Sequence, residues 1–125
     1  MAEGFLKSFD PDLEVYSAGT NPAEAVNPLA VKVMKEEGID ISGYYPKDVS
    51  KFLSDSFDYV ITVCNNAKDS CPVFTGEVKT RLHIGFDDPA EATGTEDQVM
   101  GVFRRIRDQI KYEFRCFYEK LKLKQ

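Results

Sequence analysis

Two cysteines, Cys64 and Cys71, are separated by the six residues Asn65-Asn66-Ala67-Lys68-Asp69-Ser70. Thiolates are nucleophiles and exchange into disulfides, so this spacing admits two readings. One is a dithiol redox switch; the other is a core cysteine with an incidental surface cysteine nearby. A helical segment would hold the two sulfurs about 10 Å apart, too far for a bond, so a disulfide requires the segment to loop out. Zinc fits poorly, because there is no Cys-Xaa-Xaa-Cys and His83 is the only histidine. Asp88 precedes Pro89, which restricts the local backbone and can aim a carboxyl group into a cleft, where it could protonate a leaving oxygen. Taken alone, Asp88 reads as a turn or cap residue. His83 sits inside a strand pattern and reads as a packing or hydrogen-bonding residue. Cys116 lies within a periodic helical stretch and reads as structural, and Arg104, Arg105 and Arg107 read as a solvated helix face.

These residues need elements to position them. Met1, Ala2, Phe5, Leu6 and Phe9 recur at spacings of three and four, the stripe of a helix that Asp10-Pro11-Asp12 breaks. Leu13 to Ala18 alternates as a strand before Gly19. Asn27-Pro28 supplies a cap and a first-turn proline for a helix ending at Gly38. Ile39-Asp40-Ile41 reads as a brief extended piece, and Val49, Phe52 and Leu53 suggest a short helix. The run from Tyr59 to Val63 is apolar on both alternating faces and β-branched, as in a parallel strand covered on each side, and Cys64 closes it. Residues 80–86 form another strand ending at Asp87-Asp88-Pro89. Thr95, with Gln98 three residues on, has the capping-box spacing for a long helix striped by Val99, Val102, Phe103, Ile106, Ile110, Phe114 and Phe117.

Helix and strand alternate without a strong hairpin signal, which predicts an α/β fold with a mainly parallel sheet. In such sheets ligands bind beyond the carboxyl ends of the strands, where loops meet helix N-termini. Ser17-Ala18-Gly19, the segment from Cys64 to Cys71, and Asp87-Asp88-Pro89 all map to that edge. The chain opens in a helix, although an α/β domain of this kind usually has a strand feeding it. Either that first strand does not exist or it lies outside this chain.

The chain has 125 residues, 21 acids against 16 lysines and arginines, and a net charge of −5. This length predicts one domain spanning 1–125, with enough surface to bury a core without metal or disulfide staples. Apolar residues at 42% and charged residues at 30% describe an ordinary globular protein. The acidic balance argues against nucleic acid and anionic membranes as partners, since both recruit Lys and Arg. No apolar run is long enough to span a bilayer, and Met1-Ala2-Glu3-Gly4-Phe5 lacks the basic start and apolar stretch of a secretory signal. A cytoplasmic protein with reduced thiols is the expectation.

Taken together, several stretches resemble the thioredoxin-linked arsenate reductases of the low-molecular-weight tyrosine phosphatase superfamily. They are Met1-Ala2-Glu3-Gly4, Val15-Tyr16-Ser17-Ala18-Gly19, Asn27-Pro28 through Ser42, Val63-Cys64 through Cys71-Pro72, Gly85-Phe86-Asp87-Asp88-Pro89-Ala90, and Arg105-Ile106-Arg107-Asp108. Their order spans nearly the whole chain. The resemblance implies a three-layer α/β fold, a four-stranded parallel sheet flanked by helices. Its first strand would lead into a Cys-Xaa5-Arg oxyanion loop directly before the Met1 helix. That strand and loop are absent from the 125 residues; a shortened gene model is the favoured explanation, and a natural fragment that cannot bind oxyanion is the other.

The resemblance also implies roles. Asp88 would be the general acid that assists loss of an arsenate oxygen. Cys64 would attack the arsenylated nucleophile and release arsenite. Cys71 would resolve the resulting bond, leaving a Cys64–Cys71 disulfide for thioredoxin to reduce. No organic cofactor is implied. Some members bind potassium near positions matching Glu3 and Ser17, but Tyr45 and Lys47 stand where a hydroxyl and a carboxylate ligand would be expected, and a lysine ammonium could replace the ion's charge. With the first strand absent, the chain is expected to be inactive alone and to self-associate through exposed strand edges. The competing classes are a phosphatase-like hydrolase using Asp88 and a noncatalytic dithiol module.

Overall fold

A computed structural model describes residues 1–18, 27–44, 47–64, 75–86, 89 and 92–123. Helix α1, Ala2–Phe9, buries Phe5 and Leu6, and Phe9 continues the stripe by stacking on Phe5 at 6.2 Å between ring centroids. Helix α2, Pro28–Glu36, starts as the sequence predicts: Asn27 Oδ1 accepts from the Leu29 amide at 2.9 Å, and Pro28 fills the first turn, where its missing N–H costs nothing. Gly38, at φ 77°, lets the chain leave the helix in the left-handed region. Val49–Lys51 form a single 3-10 turn capped by the Asp48 side chain.

Strands β1, Phe57–Cys64, and β2, Val78–Phe86, pair in parallel, with Phe57 opposite Val78, Ile61 opposite Leu82, Thr62 opposite His83 and Cys64 opposite Phe86. Both begin two residues earlier than their apolar patterns suggested. Helix α3, Glu96–Leu123, is 28 residues long, about 42 Å at the α-helical rise. Its capping box forms in both directions: the Gln98 amide donates to Thr95 Oγ1 at 3.2 Å, and the Thr95 amide donates to Gln98 Oε1 at 2.9 Å. Met100, Phe103, Ile106, Ile110 and Phe114 line its buried stripe. They meet Phe5 and Leu6 of α1, Val33 and Met34 of α2, Ile41, and Phe86 at the end of β2. Ile41, only 2% exposed, is therefore a core residue although it lies in no strand.

Two expectations need correction. Residues 13–18 alternate like a strand but join no ladder among the described residues, where the sheet has two strands. Alternation reports a half-buried extended chain; a strand also needs a neighbour in register, and β1 lies across an open groove from this segment. The arginines of α3 are not uniformly solvated either. Arg107, 11% exposed, ion-pairs with Glu36 at 2.7 Å and donates to the Val33 carbonyl at 3.0 Å, and Arg104 pairs with Glu36 at 2.9 Å. This fork holds the end of α2 against α3, and Arg105 remains exposed. No described helix is long and apolar enough to cross a membrane.

Candidate functional site

Parallel pairing sends the carboxyl ends of β1 and β2 to the same edge of the sheet. Cys64 is the last residue of β1, and its backbone is in register with Phe86, the last residue of β2 and two positions before Asp88. Adjacent strands lie about 4.8 Å apart, so the backbone bearing the first thiol and the backbone leading to the candidate acid leave the sheet side by side. Cys71, Asp88 and the rest of 65–74 lie outside the described residues, as do Gly19 and Tyr45. One pair further down the ladder, Thr62 Oγ1 and His83 Nδ1 share a hydrogen bond of 2.6 Å on the exposed face of β2, so His83 is the hydrogen-bonding residue its strand position suggested. Cys116 is half-buried on α3, far along the chain from the sheet edge.

Beside β1 a groove of about 710 Å³ opens between that strand and residues 12–18. Phe57, Tyr59, Ile61 and Val63 form one wall, and Phe114 and Phe117 of α3 lie at its floor. Its lining includes five acids, Glu3, Asp12, Glu14, Asp58 and Glu77, against one lysine, Lys79, which itself faces Asp58 at 3.3 Å. An apolar trough with an acidic rim suits an extended apolar segment carrying basic residues.

Glu3 is the one buried charged residue among those described, at 7% exposure. The Lys7 ammonium, one helical turn on, reaches Glu3 Oε2 at 2.7 Å, and the Ser17 hydroxyl donates to Oε1. Lys7 also lies over the Tyr44 ring, 5.1 Å from its centroid. Burial pushes the Glu3 carboxyl up, but the hydrogen bonds from Lys7 and Ser17 and the positive charges of Lys7 and Lys47 outweigh it and hold the group below the usual carboxylate range. The hydrogen bond to Glu3 raises Lys7 in turn. One carboxylate thus ties α1 to the segment 13–18, with Tyr44 stacked beneath the ion pair. The sequence reading paired Glu3 with Ser17 but passed over Lys7, although the i,i+4 spacing on α1 was its signal.

Residues 1–125 match the family model of the low molecular weight phosphotyrosine protein phosphatases, and the chain belongs to that family. The relatives it matches carry a narrower description. An arsenate reductase of Halalkalibacterium halodurans is 48% identical over 120 residues, covering 95% of this chain and 85% of that protein. An arsenate reductase of Bacillus subtilis is 45% identical over the same length and coverage. Among solved structures, an arsenate reductase in the oxidized state superposes with a TM-score of 0.76 at 30% identity, covering 95% of this chain and 86% of that one. A thioredoxin-dependent arsenate reductase of Corynebacterium glutamicum gives a TM-score of 0.64 at 25% identity, over 99% of this chain and 55% of the other.

Proposed function

We propose that this chain carries the thiol relay of an arsenate reductase, passing two electrons from thioredoxin to arsenic through Cys64 and Cys71. The observation that carries the reading is the register of Cys64 with Phe86, which starts the thiol-bearing segment and the Asp88 segment from one sheet edge. The kinship with arsenate reductases over 95% of the chain supplies the substrate.

The chemistry begins with a thiolate in a Cys-Xaa5-Arg loop, a pattern that none of the three cysteines here satisfies. That thiolate bonds to arsenic(V) while Asp88 gives a proton to the departing oxygen, which leaves as water. Cys64 then attacks the sulfur of this adduct. The sulfur–arsenic bond breaks, its electron pair stays on arsenic, arsenite departs, and a disulfide joins the nucleophile to Cys64. Cys71 attacks the Cys64 sulfur and frees the first thiolate, leaving Cys64–Cys71 oxidised. The dithiol of thioredoxin reduces that bond. Two thiols lose two electrons and arsenic gains two. This chemistry belongs in the cytoplasm, where thioredoxin is kept reduced.

The proposal extends to self-association of the chain. Among the described residues β1 has only β2 as a ladder partner, so its other edge faces the acidic groove. The exposed positions of β2 include Lys79, Arg81 and His83, so the β2 strand of a second copy would bring basic side chains to the acidic groove.

The reductase reading is tested by arsenite release coupled to thioredoxin in a protein extended upstream with a strand and a Cys-Xaa5-Arg loop. Turnover is expected to vanish in Cys64→Ser and Cys71→Ser and to fall by about 10²–10⁴-fold in Asp88→Asn. Phosphate-ester hydrolysis that survives both cysteine substitutions, with no arsenite formed, would mark a hydrolase instead.

A further inference from the structure

The resemblance to potassium-binding reductases implies a cation near Glu3 and Ser17, and the residues present do not fit one. Both Glu3 oxygens already accept hydrogen bonds, Oε2 from the Lys7 ammonium at 2.7 Å and Oε1 from the Ser17 hydroxyl. Lys47, at the position expected to supply a carboxylate ligand, contributes a second positive charge to the surroundings of Glu3. The Lys7 ammonium already balances the charge of the Glu3 carboxylate, which leaves little negative charge there to attract a further cation. No group of three or more His, Cys, Asp or Glu side chains that could hold a metal ion forms among the described residues.

We infer that Lys7, backed by the charge of Lys47, is a built-in replacement for a monovalent cation at Glu3, so that the chain keeps segment 13–18 docked on α1 without any bound ion. A mobile ion neutralises a buried carboxylate only at sufficient concentration. A tethered ammonium does so at any salt composition, because α1 itself carries it one turn from the carboxylate. Lys7 is a positioning residue: it touches Glu3, and through Glu3 it holds Ser17 and the strand-like segment that ends there. The inference stands on this geometry and does not depend on arsenate being the substrate.

Potassium dependence is a readout that a merely structural lysine would not move. The unfolding midpoint of the full chain is expected to be the same in potassium chloride and in choline chloride at equal ionic strength, from roughly 10 to roughly 200 mM. Lys7→Gln keeps a hydrogen-bond donor and removes the charge. It is expected to lower the midpoint in choline chloride and to regain part of the loss as potassium replaces choline, more fully when combined with Lys47→Asp. Lys7→Arg, which retains the charge, is expected to stay indifferent to the cation. A wild-type midpoint that rises with potassium but not with choline overturns the inference, as does a folded Lys7→Gln protein with no potassium response. If Lys7→Gln fails to fold in choline, recovery of its fold by potassium supports the inference and failure in both salts overturns it.

Discussion

Glu3 and Gly4 are neighbours on α1 that meet the rest of the molecule in opposite ways, one through charge and the other through the absence of a side chain. A Cβ built on Gly4 would sit 2.9 Å from Ile41 Cγ2 and 3.2 Å from Met34 Cε. Met34 can bend aside, but Ile41 is β-branched and 2% exposed, with little freedom to retreat. Gly4→Ala should therefore destabilise the protein by about 1–3 kcal/mol, despite the helix propensity it gains, measured as a shift in urea midpoint at unchanged slope. The sequence showed Gly4 only as part of a shared Met-Ala-Glu-Gly run; that it is the point where α1 touches Ile41 depends on packing between distant segments and has no local signature.

At the scale of elements, what the chain revealed in advance was local. The Asn27-Pro28 start of α2 and the Thr95–Gln98 box of α3 are contacts within four residues, and both form as expected. The strand reading of 13–18 failed because ladder membership belongs to a pair of segments. The fork between α2 and α3 was likewise invisible, since Glu36 and Arg107 are 71 residues apart. Of the candidate site, the cysteine spacing and Asp88 stood out, while the juxtaposition of Cys64 with Phe86 needed the parallel register. The fork has a pH signature. Hydrogen bonding to Arg104, then to Arg107, together with their charges, outweighs the upward pull of desolvation and holds the Glu36 carboxyl down to about 2 from an ordinary 4.5. A carboxyl lowered in the folded state stabilises fully above its unfolded pKa and loses that contribution as pH falls through the folded value. Stability should thus drop between about pH 4.5 and pH 2, and Glu36→Gln should flatten that part of the pH–stability curve.

For the whole molecule, the groove matters most. In the proposed self-association a second copy would insert β2 beside β1, using two different surfaces, so the contact would be head-to-tail and would not close on itself. Sedimentation should show mass growing with concentration without stopping at a dimer, and added salt should weaken growth by screening the acidic rim. Val63, 39% exposed on the groove wall, is the place to interrupt it. Val63→Lys sets a positive charge opposite an incoming basic strand, and a population shifted to monomer is the expected result. Undiminished growth in that variant would place the contact elsewhere.

The parallel ladder also limits how far the second sulfur can travel. Thr75 is fastened near the start of β1: its amide donates to the Leu53 carbonyl at 2.7 Å, and the Gly76 amide reaches the same oxygen at 3.2 Å. Cys64 stands at the far end of that strand, about 23 Å from Phe57 at the usual rise. A taut stretch from Cys71 to Thr75 reaches about 14 Å, and a disulfide spans at most about 7 Å between α-carbons. Together these reach about 21 Å, short of the strand's length. Linking Cys71 to Cys64 should pull the knot at Leu53 loose, and the Thr75 and Gly76 amides should exchange hydrogen faster in the oxidised protein than in the reduced one. Equal exchange in both states would mean that the tether has slack these lengths do not allow.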